Sequence, residues 1–323
     1  MKLPHLLAAA LLGAAVLLPA GAQTPDYPSK PIRMVVPFAA GGPADAMARM
    51  LANKLTQSLG QPMIVDNRGG AAGILGWDNV AKSPADGYTV LFSGPATFAI
   101  LPILSKLPYD PEKDIAGVSS IAKSPNVFVT SAASGPHTLA AVLAKAKADP
   151  GRMNLGLAAP GTITHFAGTL LQRDAGIRMT EVPYKGGAPA VNALLAGDID
   201  FLAADVVAVL PFIEAGKLTA VAVTGPGRIP ALPNVPTTAE LGYPGVLAVN
   251  EFGLYAPAAT PRAVVDKLSA AVIAALKLPD VQDTMNRQGV AMAGSTPAAF
   301  EAVNRDAVVR WGPLARASGL RLN

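Results

Sequence analysis

The feature that most constrains this chain is a unit used twice: an apolar strand-like run, a turn of small residues, then a helix-like run. Ile32 to Val36 leads into Pro37-Phe38-Ala39-Ala40-Gly41-Gly42. Met47, Met50, Leu51, Leu55 and Leu59 then recur at helical spacing until Gly60 stops them. In the second half, Met153 to Leu157 leads into Ala158-Ala159-Pro160-Gly161-Thr162, and Phe166, Ala167, Leu170 and Leu171 follow. A strand that leaves through a helix returns parallel to itself, by a right-handed crossover. The chain is therefore expected to build α/β layers around a mostly parallel sheet.

The remaining runs extend that plan. Strands are expected at Met63 to Val65, Tyr88 to Ser93, Val127 to Thr130, Thr180 to Pro183, Ile199 to Ala203, Leu218 to Thr224 and Phe252 to Ala256. Helices are expected at about Gly73 to Lys82, Leu139 to Ala148, Ala188 to Ala196 and Leu210 to Ala215, with a short one at Thr237 to Leu241. Three more follow Thr260-Pro261, Pro279 and Pro297, where proline suits a first helical position. This C-terminal part has too few strands for a sheet of its own, so it packs back on the first half. Two lobes result: residues 23–125 with 250–323, and an inserted lobe of residues 126–249.

Residues 1–22 read as a signal peptide. Lys2 precedes the apolar run Leu6 to Leu18, and Ala20 and Ala22 fit a small-residue cleavage site. No later run is long and apolar enough to span a bilayer. The chain has no cysteine, so neither disulfides nor a lipid-anchored cysteine hold it. An exported chain of this kind is expected in the periplasm. With 51% hydrophobic and 15% charged residues, it has ample core. Its net charge of +4 is spread without basic blocks, which argues against a nucleic-acid partner.

Motifs for chemistry are sparse. The first turn lacks G-x-G-x-x-G, and Asp45 would oppose a pyrophosphate, although Asp66 ends the next strand where a ribose acid belongs. There is no G-x-S-x-G, H-E-x-x-H or P-loop lysine. His165, at a helix start, is either a base for a nearby hydroxyl or a residue that hydrogen-bonds that start. Asp198 and Asp200 read as turn residues. No metal or cofactor is expected. Binding remains. A helix start offers unpaired N–H groups and the positive end of a dipole, and Gly41, Gly42 and Gly161 let a ligand approach the backbone as donors. Two such starts facing one cleft suit a small carboxylate. Each dipole contributes about 0.3–1 kcal/mol, far short of the ~8 kcal/mol that micromolar binding needs. Charge-assisted hydrogen bonds must therefore supply the rest. Arg68 faces either the cleft or the surface.

The blocks YPSKPIRMVVPFAAGGPADAMAR, VDNRGGAAGILG, ADGYTVLF, GLAAPGTITHFAG, VPYKGGAPAVNALLAGDIDF, FIEAGKLTAVAVT, RIPALPNVPTTAELG and FGLYAPAATP occur in order from Tyr27 onward. Together they resemble the Bug-type periplasmic receptors of the tripartite tricarboxylate transporters. The resemblance implies a two-lobed periplasmic-binding-protein (Venus-flytrap) fold that closes on a carboxylate and hands it to membrane permease subunits, acting as a monomer. It implies ligand contacts from Phe38, Ala39, Ala40, Gly41, Gly42, Ala44 and Asp45 in the first loop. Ala158, Ala159, Gly161, Thr162, Thr164 and His165 do the same in the second. Ser93 and Tyr184 complete the set, with Asp205 at a position that helps select ligands. Ala44 and Ala158-Ala159 stand where similar receptors often carry hydroxyls, and NRGGAAG replaces the commoner NRPGAGG, so a less polar ligand is expected. The alternatives are a receptor that signals to a membrane sensor, and an exported hydrolase.

Overall fold

The computed structural model describes residues 27–322; the signal segment lies outside them. The first half runs β1 (Ile32–Val36), α1 (Pro43–Leu59), β2 (Met63–Asn67), α2 (Ile74–Ala81), β3 (Thr89–Ser93), α3 (Pro95–Leu104) and α4 (Pro111–Asp114). A long strand β4 (Ile115–Ser131) leads into α5 (Leu139–Ala148), β5 (Asn154–Leu157), α6 (Ile163–Ala175), β6 (Thr180–Pro183) and α7 (Gly187–Ala196). Then come β7 (Phe201–Asp205), α8 (Val206–Glu214), β8 (Leu218–Val223) and β9 (Val249–Pro257). The chain ends with α9 (Arg262–Leu276), α10 (Pro279–Arg287), β10 (Ala291–Met292) and α11 (Pro297–Ala317).

The strands join in the order β2-β1-β3-β9-β4-β7-β5-β6, with β8 and β10 also paired to β4. β1, β2 and β3 are parallel, as the helical crossovers require, and so are β5, β6 and β7. β9 and β4 run antiparallel to their neighbours. Along β4, Ser124 faces Asn250 and Pro125 faces Val249 on β9, whereas Asn126 faces Asp205 on β7. One strand therefore serves both halves and exchanges partners between Pro125 and Asn126.

Sequence patterning located most of these elements; α3, α4 and β10 went unmarked, β4 was cut short, and one expected helix is absent. β4 begins at Ile115, well before the expected Val127. Its Ser119, Ser120 and Ser124 broke the apolar pattern, but they are buried and satisfied: Ser119 Oγ donates to the Ser295 carbonyl and Ser124 Oγ to Asp205. α3 (PATFAILPIL) is apolar apart from Thr97 and has seven of its ten residues buried, so no polar period marked it. The helix expected at Thr237 to Leu241 is instead a turn. Thr237 and Glu240 make reciprocal capping-box bonds, at 2.7 and 3.1 Å, but Gly242, at φ +91°, ends the turn at once.

The C-terminal helices pack back as expected. Phe300 of α11 lies against Tyr255 (4.9 Å between ring centres), which in turn meets Trp77 at 5.0 Å. A Cβ on Gly253 would stand 1.9 Å from the Phe300 ring, so this position of β9 requires glycine. Further along α11, Trp311 meets Phe166 of α6 at 6.3 Å, so this helix packs on elements from both halves of the chain.

Where β4 changes partners, a buried polar network ties the strands. Asp205, 5% exposed, accepts from Ser124 Oγ (2.7 Å), Val207 N (3.0 Å) and Asn250 Nδ2 (2.8 Å). Asn250 also donates to Asn126, which donates to the Ala248 carbonyl. Burial pushes the Asp205 carboxyl above the usual carboxylate range, against its three donors. The folded protein therefore keeps a proton here that the unfolded chain releases near pH ~4. Stability is expected to fall as pH rises from there through the raised folded value. Urea midpoints against pH should show this decline in the wild type and a flatter profile in Asp205→Asn.

Candidate functional site

The strand order brings one set of helix starts together. β1 and β3 are parallel, and Ser93 at the end of β3 pairs with Gly253 in the middle of β9, with β3 pointing toward the start of β9. The start of β9 meets β4 at Pro125. From the other half, the end of β7 reaches β4 at Asn126, and β5 and β6 run parallel to β7. The C-terminal ends of β1, β3, β5, β6 and β7 thus converge on the β4 crossing, as do the starts of α1, α3, α6, α7 and α8. In open α/β sheets, such a line of strand ends beside a reversal of order is where ligands bind.

The first and second turns are built alike. Gly41 and Gly161 take φ +80° and +77°, conformations that favour glycine. Gly41 N donates to Asp45 Oδ2 at 2.9 Å, and Gly161 N donates to His165 Nδ1 at 3.0 Å. In each case the acceptor is the side chain four residues on, and both side chains are buried. This corrects the reading of these two glycines as ligand donors, because their amides are spent inside the turns. Of the two readings of His165, the hydrogen bond to its own helix start is the one the geometry displays.

Unpaired donors lie one step further. The N-cap residues Gly42 and Thr162 make no side-chain capping bond. The Thr162 hydroxyl turns instead to the Ala159 carbonyl (2.7 Å) and Thr164 Oγ1 (2.8 Å). By position, the amides of Ala44 and Asp45 in α1, and of Ile163, Thr164 and His165 in α6, have no partner within their helices. α3, after Ser93-Gly94, and α7, after Tyr184-Lys185-Gly186, also start without a side-chain cap; α8 is capped by Asp205.

Other groups hold the turns in place. Arg49 Nε reaches Asp45 Oδ2 at 3.0 Å, and Asn67 links Arg49 to the Phe38 carbonyl. Burial pushes Asp45 up, but the bonds from Arg49 and Gly41 outweigh it and leave the carboxyl below the usual range. His165 Nε2 lies 3.3 Å from Glu181 Oε2, while Gln172 donates to Glu181 Oε1 at 3.0 Å. The His165 bond holds the Glu181 carboxyl below its usual range, against burial. Glu181, Gln172, Asn67 and Arg49 were not singled out in the sequence. The spacing Gly41-Asp45-Arg49 is the signal that would have found Arg49; the other three are brought in by the fold and no local spacing marks them.

The other expected residues fall as follows. Phe38, Ala158, Ala159 and Tyr184 are half-buried, Ala39 and Ala40 are exposed, and Ala44 is buried. The Ser93 hydroxyl accepts the Trp77 indole N–H at 3.1 Å in the core. The Asp205 carboxylate is committed to the crossing network. Arg68 pairs with Asp66 at 2.7 Å and lines a surface hollow of about 420 Å³ with Gly69, Leu75, Asp78 and Asn79. No cluster of three or more His, Cys, Asp or Glu side chains suited to a metal occurs among the described residues.

The family model described as "Tripartite tricarboxylate transporter family receptor" matches residues 47–320. The chain belongs to this receptor family. Three solved structures resemble the receptor closely. Rpa4515 of R. palustris with adipate has TM-score 0.87 at 32% identity, covering 92% of this chain and 99% of that one. The periplasmic binding protein BugD has TM-score 0.83 at 33% identity, covering 91% and 99%. MatC (Rpa3494) from Rhodopseudomonas palustris with bound malate has TM-score 0.82 at 30% identity, covering 90% and 100%. The receptor is thus of the Bug type, with the two-lobed fold of those proteins.

The loop after β2 supports the first turn of the receptor. Gly69 lies against Phe38 and Ala39, and Gly73 and Gly76 lie against Pro37. Within it, Ala71 and Ala72 take φ +47° and +54°. A left-handed alanine costs roughly 1–2 kcal/mol, more than the 0.5–1 kcal/mol or so that glycine loses in conformational freedom. Ala72→Gly is therefore expected to raise the thermal midpoint by about one to two degrees. A fall, as for alanine to glycine in a regular helix, would contradict this reading of the loop.

Proposed function

We propose that this receptor captures a small carboxylate in the periplasm, between a lobe of residues 23–125 with 250–323 and a lobe of residues 126–249, and delivers it to the membrane permease subunits of a tripartite transporter. The observation that carries this reading is the pair of uncapped helix starts, α1 and α6, each behind a glycine turn locked by its own side chain. Unpaired amides and two dipole ends meet at the β4 crossing without a lysine or arginine in either turn. The adipate in Rpa4515 and the malate in MatC are ligands of the same chemistry.

The half-buried Ala158 and Ala159 bring methyl groups where a hydroxyl would add a polar contact, whereas the Ala44 methyl is packed in the core. A carboxylate here meets backbone N–H groups and water, and the middle of the ligand meets apolar surface. Among carboxylates of equal charge, those with longer hydrocarbon middles are expected to bind better, by up to ~0.8 kcal/mol for each CH₂ buried.

The test is a thermal-shift and calorimetric panel of adipate, malate, shorter dicarboxylates and monocarboxylates. At least one dicarboxylate should bind saturably with micromolar affinity; a flat response to all of them refutes the reading. Gly42→Asp sharpens the test. Gly42 has φ −85°, and the nearest atom to an added Cβ is Ala39 O at 3.6 Å, so the fold accepts a side chain. The new carboxylate would cap α1 itself. The variant should gain a few tenths of a kcal/mol of stability, roughly 0.3, and lose dicarboxylate binding, because the cap takes the amides the ligand needs.

A further inference from the structure

The two turns share one device, but their acceptors respond differently to a proton. Asp45 has two oxygens, and Arg49 beside it holds the charged form. His165 has one lone pair to give. Its Nδ1 receives Gly161 N–H at 3.0 Å and so carries no hydrogen. The single ring proton is then on Nε2, which faces Glu181 Oε2 at 3.3 Å. A second proton can go only to Nδ1, where it would point at the Gly161 N–H, donor against donor. Glu181 favours the doubly protonated ring, and the turn cannot keep its bond to it.

We propose that His165 is a positioning residue for the second turn and an acid-sensitive latch on it. The neutral ring holds Gly161 in place and so aims the free amides of α6; protonation releases the turn and weakens carboxylate capture, while the first turn, held by Asp45, stays formed. This rests on the carboxylate-capture reading.

The surroundings isolate the ring. His165 is 2% exposed and stacks on Phe166 at 5.5 Å between ring centres. Among the described residues, Glu181 of β6 is the acid within ion-pair distance of it. On the other elements packed near α6, Asp205 of β7 is turned to Ser124 and Asn250, Glu251 of β9 pairs with Lys123 at 2.7 Å, and Arg310 of α11 bonds the Leu247 carbonyl. Gly161 sits against Leu104, whose Cδ1 would lie 2.8 Å from an added Cβ, and against Leu322. Releasing it therefore moves the turn out of an apolar seat and carries the start of α6 with it.

Nitrogen-15 NMR of the unliganded, deuterated protein tests the latch without any ligand. At neutral pH, His165 should show an unprotonated Nδ1 and a protonated Nε2, with Gly161 N–H protected from exchange. As the pH is stepped down from about 8 to 5, Gly161 protection should drop by tenfold or more in step with protonation of Nδ1, while Gly41 protection holds. His165→Asn puts a neutral oxygen acceptor where Asp45 has one in the first lobe, and there Gly161 protection should not change with pH. A protonated Nδ1 at neutral pH, or Gly161 and Gly41 responding alike, overturns the proposal. In a second arm, adipate affinity is measured across the same range in both proteins. Wild type should lose about tenfold more affinity on acidification than His165→Asn, the loss of order one charge-free hydrogen bond or slightly more. Equal pH dependence overturns the proposal. Absence of adipate and malate binding at every pH would refute carboxylate capture instead, while the amide data still decide the latch.

Discussion

A single strand shared by two half-sheets sets the geometry of this receptor. β4 pairs with β9 up to Pro125 and with β7 from Asn126, and both partners end or begin at that point. Because the other strands are fixed by parallel crossovers, their helix-bearing ends have no choice but to gather there. The buried links among Asp205, Ser124, Asn250 and Asn126 hold the exchange in register. An acid in such a place is costly to bury, and three donors only partly offset that cost, so its carboxyl is raised rather than lowered.

Convergence alone would give several helix starts competing for any anion. What distinguishes α1 and α6 is that each turn spends one amide internally and leaves the next ones free. A glycine in the left-handed region turns the chain, and the side chain one helical turn later receives its N–H. The lock costs a donor but fixes the direction of the remaining amides. Preorganised donors matter because the dipoles are too weak by themselves: two of them contribute about 2–4 kcal/mol at best. In the proposed capture, most of the binding energy must come from hydrogen bonds formed without a large ordering cost.

Much of this was legible in the sequence, and the failures have physical reasons. The repeated strand–turn–helix unit gave the parallel strands, the helices and the two turns, because its periodicity and its glycines are local signals. The length of β4 was hidden, since its serines find partners as distant as Ser295 and Asp205, which no window of sequence reveals. α3 was hidden for the opposite reason: apolar nearly all round, it has no amphipathic period. At the two turns, the roles of Gly41 and Gly161, like that of Asp205, are not what the sequence suggests, because their polar groups are taken by side chains and strands placed beside them. An amide looks free in a sequence until the side chain that takes it is placed beside it. The same holds for Ser93, whose hydroxyl belongs to Trp77.

The central claim is that one ligand is held at once by the start of α1 and the start of α6. Mapping amide shift changes during an adipate titration tests it most directly. The account predicts the largest changes together at Ala44 and Asp45 and at Ile163, Thr164 and His165, all following one saturation curve. Changes confined to one of these helix starts, or centred on the hollow beside Arg68 and Leu75, would contradict it.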